Sequence, residues 1–306
     1  MYKKMKKIYI LLLLIAFSVT TSKSQEMNAT ADELSPFLTS TLYVPITGNT
    51  AFDEALQNGF SKYWKITPYK LLEYKEFSKL EQANEKQKYT ETPKSFLFTW
   101  GSNMFQINHI CNAFTSWQAA EVLMESQWLK DGTADFAKTK RLDNIRYRIE
   151  YIVKAMNDMI IYTRDNKLGK GNPKQAYTLM QQQIRNHINT NAKSIKDKTL
   201  VLNEDLKSGF QDTYNPKEFS KYYSYPLKFV STAEFNEILK GEQKEYVCFF
   251  TTYTNIGTGP SVRVQVDESV YEPSTRSTLY MNTRKVARIK GMKKEDIEQL
   301  KKAIMH

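Results

Sequence analysis

The pentapeptide Phe60-Ser61-Lys62-Tyr63-Trp64 returns 159 residues later as Phe219-Ser220-Lys221-Tyr222-Tyr223. Just beyond it, Pro68-x-Lys70-Leu71-Leu72 with Glu76-Phe77-x-x-Leu80 returns at an offset of 158 as Pro226-x-Lys228-Phe229-Val230 with Glu234-Phe235-x-x-Ile238. Self-similarity at a fixed period marks a repeated supersecondary unit. In each copy a helical stretch stops at a proline, a short apolar run and a second helix follow, and the chain enters an aromatic strand, at Phe96 and at Tyr246. The pattern predicts the α/β class: a mixed sheet built from two related β-α-β units, with a helical insertion between them and a C-terminal helix. Copies of one unit are expected to lie side by side and extend one sheet. Chance similarity over so short a span is the competing reading, and strand topology decides between them.

Outward from the repeat, the chain divides into a lead-in at 25–48, a first α/β unit at 49–140, a helical insertion at 141–194 and a second α/β unit at 195–306. The lead-in is polar, with room for one short strand at Leu42-Tyr43-Val44. Thr50 looks like an N-cap, and Phe52, Leu56, Phe60 and Tyr63 at helical spacing predict a helix over 51–64. Ser95 to Trp100 reads as a buried strand. Residues 102–130 fit either period, because Ile110, Phe114, Trp117 and Met124 could share a helical face while Ala119 to Met124 could be strand. Ile145, Ile149, Ile152, Val153, Met156 and Ile160 then form a helical stripe, and Pro173 opens a second helix after Asn172. The second unit reads as strands at 199–202, 227–230, 246–253, 262–266 and 278–286, with helices at 233–240 and 293–304.

The first 24 residues stand apart. Four lysines fall within Met1 to Lys7, and Ile8 to Val19 is then an apolar run of 12 residues. That is shorter than the roughly 20 residues a helix needs to cross a bilayer. A charged stretch followed by a short apolar one is the form of a cleavable secretory signal. Ser22 and Ser24 supply small residues three and one positions before a cut, which places cleavage after Ser24 and makes Gln25 the new N-terminus. An uncleaved N-terminal anchor is the alternative. Residues 1–24 hold five lysines and no acid, so their removal lowers the net charge from +11 to +6. A charge of that size on about 280 residues serves solubility and marks no nucleic-acid surface. With 19 Tyr and 16 Phe in the chain, the exported part is a folded protein rather than a disordered tail. No later run is long and apolar enough to span a membrane.

No complete catalytic, cofactor or metal motif is present. Histidine occurs only at 109, 187 and 306, and His109-x-Cys111 lacks the third and fourth ligands that zinc requires. Gly169-Lys170-Gly171-Asn172 has neither the glycine spacing nor the terminal Lys-Ser/Thr of a phosphate loop, and Gly257-Thr258-Gly259 precedes a strand rather than a helix. No Gly-x-Ser-x-Gly elbow occurs. Export permits a disulfide between Cys111 and Cys248, yet both lie in apolar runs, which is the setting of two separately buried thiols. Arg276, Arg284, Arg288 and Lys290 put positive charge on the last strand and its exit. They form either a solvated edge that discourages strand pairing or an anion-binding strip.

The segments Tyr63-Trp64-Lys65-Ile66-Thr67-Pro68-Tyr69, Ile195-Lys196-Asp197-Lys198-Thr199-Leu200-Val201-Leu202 and Tyr222-Tyr223-Ser224-Tyr225-Pro226-Leu227-Lys228-Phe229-Val230 resemble a pattern in exported proteins of unknown function from Bacteroidetes. The resemblance covers scattered pieces of 50–100 and 195–306 and none of 102–140. It implies a Gram-negative envelope and hence the periplasm, and it carries over no functional residue. The expectation is an exported envelope protein that is a non-enzymatic binding or accessory component, with an envelope protein or polymer as partner and no nucleic acid. The alternatives are an envelope hydrolase whose carboxylates converge only in three dimensions, or a membrane-surface component held by basic patches. Mass spectrometry of the exported protein should find Gln25, or its pyroglutamate, at the N-terminus; Met1 retained in a membrane pellet would contradict the cleavage.

Overall fold

The computed structural model describes residues 26–27, 29–86, 96–101, 104–109, 112–118, 140–169, 173–204, 207–208, 211–212, 216–256, 263–286 and 294–306. The chain enters through β1 (Glu26–Met27) and α1 (Ala31–Leu38). A first unit then runs β2 (Leu42–Ile46), α2 (Thr50–Tyr63), β3 (Tyr69–Glu73), α3 (Tyr74–Lys86), β4 (Phe96–Gly101), β5 (Met104–His109), β6 (Asn112–Gln118) and α4 (Lys140–Asp165). After α5 (Pro173–Asn189) and a 3-10 turn at Ala192–Asp197 comes β7 (Thr199–Asn203), followed by the small pair β8 (Lys207–Ser208) and β9 (Gln211–Asp212). The second unit continues with α6 (Pro216–Tyr222), β10 (Leu227–Val230), α7 (Thr232–Leu239), β11 (Tyr246–Ile256), β12 (Arg263–Glu272), β13 (Ser277–Val286) and α8 (Lys294–Met305).

The two units share one topology. In the first sheet β2 lies between β3 and β4 and is parallel to both, and β4, β5 and β6 continue antiparallel. In the second, β7 lies between β10 and β11 and is parallel to both, and β11, β12 and β13 continue antiparallel. The repeat holds to the residue. Leu42 pairs with Tyr69 and Leu200 with Leu227, positions related by the 158-residue offset. The Leu42 N–H donates to Pro68 O at 2.9 Å and the Leu200 N–H to Pro226 O at 2.9 Å. The Trp64 N–H closes α2 on Phe60 O, and the Tyr223 N–H closes α6 on Phe219 O.

Because side chains alternate along a strand, the repeat also predicts which face each residue takes. Leu42, Val44, Phe60 and Trp64 are buried on the α2 side of the first sheet, while Leu72 and Phe77 form a separate cluster on the α3 side with Tyr43 and Leu80 packed on it. Their counterparts Leu200, Leu202, Phe219 and Tyr223 are buried together with Ile297, Leu300 and Ile304 of α8. Val201, Val230, Phe235 and Ile238 take the other face. Matched residues sit on matched faces.

The units do not, however, extend one sheet. They form two sheets, stacked through α4. Gly59 of α2 permits the close approach of α4, since a Cβ there would lie 3.3 Å from Val153 Cγ2 and 3.4 Å from Glu150 Cα. From α4, Tyr151 stacks on Phe250 at 6.2 Å and packs on Tyr271 at 4.0 Å, ring to ring. One hydrophobic cluster therefore runs from Leu42 and Phe52 of the first unit through Ile149 and Met156 to Cys248, Phe250 and Tyr271 of the second. Edge pairing at β13 is also blocked, because the side-chain amide of Asn189 on α5 bonds both the N–H and the C=O of Met281.

Four boundaries differ from the sequence reading. The strand at Leu42 is no part of a lead-in: it is β2, which lies between β3 and β4 in the first sheet. Residues 104–109 and 112–118, read as fitting either period, are strands; 119–139 lie outside the described residues. The cap of α2 is Asn49 rather than Thr50, its Oδ1 accepting the Phe52 N–H at 3.0 Å. Asp53 instead accepts the N–H groups of Thr47 and Gly48, fixing the turn before the helix. Finally, α4 occupies in the first unit the place of α8 in the second, so of the two helices in the insertion only α5 lacks a counterpart. Phe60→Ala and Phe219→Ala should each cost about 3–5 kcal/mol in urea unfolding, the usual loss for a fully buried phenylalanine. A loss below about 1 kcal/mol at either would show that the two positions are not equivalent.

Candidate functional site

The second sheet is covered by α4 on one face and α8 on the other, so an interior strand is expected to be apolar on both sides. β12 breaks that rule. Gln265, Asp267, Glu268 and Ser269 are all buried at 0–1% exposure, and alternation sends them to opposite faces. On one face the Gln265 amide donates to Asp267, and Thr283 Oγ1 donates to Asp267 Oδ1 at 2.6 Å. On the other, Glu268 points towards α8. Asn282, directly opposite it on β13, donates to Glu268 Oε2 at 3.1 Å. Arg284 Nε lies 3.3 Å from Glu268 Oε1 and 3.0 Å from Asp296 Oδ1, the latter in the first turn of α8.

Two carboxylates thus share one guanidinium in the interior. Burial first, and the charge of Asp296 second, push the Glu268 carboxyl up from its ordinary value of 4.5 to about 7, against the pull of Arg284 and Asn282. Arg284 Nη1 and Nη2 are buried and find no hydrogen-bond partner among the described residues. A carboxyl that keeps its proton near neutrality is suited to acid catalysis, but a general acid must reach its substrate, and Glu268 is 1% exposed. The triad joins α8 to the sheet.

A second constellation lies where the units meet. α4, α5 and the start of β13 line an open cavity of about 160 Å³. Its inner wall is Ala155, Met159 and Ile184, at 7, 3 and 2% exposure. Its outer wall carries Asp158, His187 and Asn191, all exposed. Helical spacing produces this gradient: Ala155 and Met159 are four apart on the buried side of α4, while Lys154 and Asp158, also four apart, form an ion pair at its edge. The His187 ring stacks on Tyr162 at 4.0 Å with the planes 10° apart. Thr278 closes the β13 side and donates to the Tyr151 hydroxyl at 3.3 Å.

The residues singled out in the sequence are dispersed. Arg276, at a positive φ of 56°, turns its guanidinium onto the C-terminus of α7, where Nη1 donates to Leu239 O and Nη2 to Lys240 O, and Nη1 also donates to Pro273 O in its own turn. Its Nε meets Glu150 of α4 at 3.2 Å, and Gly241 leaves room for it, since a Cβ there would lie 2.8 Å from Arg276 Nη1. Arg276 and Arg284 therefore bind carbonyls and carboxylates of this chain; Arg288 and Lys290 lie outside the described residues. Cys248 is a free, fully buried thiol whose pKa burial pushes up; Cys111 lies outside the described residues, as do Ser24 and Gln25. His109 is on β5 and His187 on α5, and among the described residues no three potential ligands gather around a metal position. No described helix is long and apolar enough to cross a membrane.

The raised Glu268 carboxyl sets a pH dependence. Between its unfolded value of 4.5 and its folded value of about 7 the folded chain holds a proton that the unfolded chain releases, so stability falls as pH rises through that window. Urea unfolding from pH 5 to 8 should show this fall in the native protein and a flatter profile in Glu268→Gln; equal slopes would contradict the assignment. Arg284→Met leaves two carboxylates without their cation and should cost about 3–5 kcal/mol at pH 8.

No protein-family model, curated protein or solved structure matches this chain.

Proposed function

We propose that this protein is an exported, periplasmic binding component of the cell envelope, and that its ligand sits in the cavity between α4, α5 and β13. The observation that carries the reading is the ordering of that cavity, apolar within and polar at its rim. Ligand sites are concave, mostly apolar and furnished with a few polar groups that fix orientation. α5, the helix without a counterpart in the second unit, builds one wall. An element added to a duplicated scaffold is a place where function differs from fold.

A hydrolase reading draws on Glu268 and Asp296, whose environments set two neighbouring carboxylates apart. The cavity is lined by neither, and both are buried, so the binding reading is preferred. Ile188→Trp on α5 and Ser277→Phe on β13 should each fill the cavity from a partly exposed position while leaving the unfolding midpoint within about 3 °C. The immobilised mature protein should retain a component of a fractionated envelope extract that both variants lose. Equal retention by the variants, or turnover of an envelope polymer abolished by Glu268→Gln, would contradict the reading.

A further inference from the structure

Three properties of the cavity bear on what it holds. Its volume of about 160 Å³ is close to that of the roughly 150 Å³ engineered cavity that takes up benzene, so it has room for one ring or one branched aliphatic group. Its inner wall, Ala155, Met159 and Ile184, offers that group no polar partner at the side chains. Its edge carries one cation and one anion, Lys154 and Asp158, one helical turn apart and paired with each other; Asn157 also donates to Asp158 Oδ1 at 3.3 Å.

Charge then narrows the ligand. A simple anion gains Lys154 but meets Asp158, and a simple cation gains Asp158 but meets Lys154. An uncharged hydrocarbon leaves the pair as it is. A sugar would set hydroxyls against the apolar inner wall, where a polar group without a hydrogen bond is costly. A molecule with adjacent ammonium and carboxylate groups and one ring-sized apolar substituent satisfies both ends at once. We infer that the cavity takes a free α-amino acid with a branched or aromatic apolar side chain, its ammonium at Asp158, its carboxylate at Lys154 and its side chain between Met159 and Ile184. This rests on the reading of the cavity as the ligand site and names the class of ligand for it.

Isothermal titration of the mature protein with L-leucine, L-phenylalanine, isoamylamine, 4-methylpentanoate and N-acetylglucosamine tests the assignment. One of the two amino acids should bind. The amine and the acid, each lacking one charge, should bind at least about tenfold more weakly, the scale of one lost charge-assisted hydrogen bond. Asp158→Asn and Lys154→Met, both at the surface of α4, should each weaken the amino acid by a similar factor with unchanged circular dichroism. Equal affinity for a single-charge analogue, or binding of the sugar alone, would overturn the amino-acid assignment and leave the cavity as a ligand site. So would no binding by any probe if Ile188→Trp still loses the retained envelope component. No binding together with unchanged retention in Ile188→Trp would overturn both.

Discussion

The packing of Tyr151 against Phe250 and Tyr271 is the contact on which the rest of the structure depends. A helix normally buries one stripe and exposes the other. α4 buries Ile149, Ile152, Val153, Met156 and Ile160 along with Tyr151 and Ala155, because it is at once the closing helix of the first unit and the cover of the second sheet. Without it, Cys248, Phe250 and Tyr271 would present an apolar sheet face to water. The ion pairs follow the same line, since Glu150 of α4 meets Lys62 of α2 and Arg276 beside α7. α8, the counterpart of α4, exposes Lys294, Glu295, Glu298, Gln299 and Lys302, so it buries one stripe where α4 buries two sides.

The same arrangement separates the Glu268–Arg284–Asp296 triad from the cavity. Glu268 and Asp296 lie behind α8 at 1 and 4% exposure, and with Arg284 they join that helix to the sheet. Burying such a triad is costly, and removing one member costs more than the triad gains over an apolar core. The cavity lies on the opposite side of the second sheet, at the seam. Its helices are held by the stack: α4 by the shared core and α5 by Asn189 on the β13 edge. A pocket built on helices fixed in this way is pre-formed.

Most of the fold was legible because the repeat is local. Phe60 and Phe219, Leu71 and Phe229, and Phe77 and Phe235 each specify the same element and face without reference to the remainder of the chain. β2 was misplaced because Pro36, Pro45 and Gly48 gave its surroundings the composition of a loop. The signal that identifies it is in the sequence all the same: Thr41-Leu42-Tyr43-Val44 returns as Thr199-Leu200-Val201-Leu202 at the 158-residue offset. The stacking of two sheets was not legible, since it depends on the second side of α4. Of the site residues little could be read. Arginines are mostly at the surface, so Arg276 and Arg284 read as an exposed strip, whereas their partners Glu150 and Leu239, or Glu268 and Asp296, are up to 126 residues away. The cavity arises from the crossing of α4 and α5, and no local pattern encodes it.

Amide hydrogen exchange in Tyr151→Ala tests most directly whether the two units share one core. Removing a buried aromatic from a packed interior costs about 3–5 kcal/mol. If α4 welds the sheets, the amides of Leu42 in β2 and Leu200 in β7 lose protection by the same free energy, because both open in one cooperative step. Loss of protection confined to β7, with β2 as slow as in the native protein, would show that the units fold independently and that α4 does not couple the two sheets.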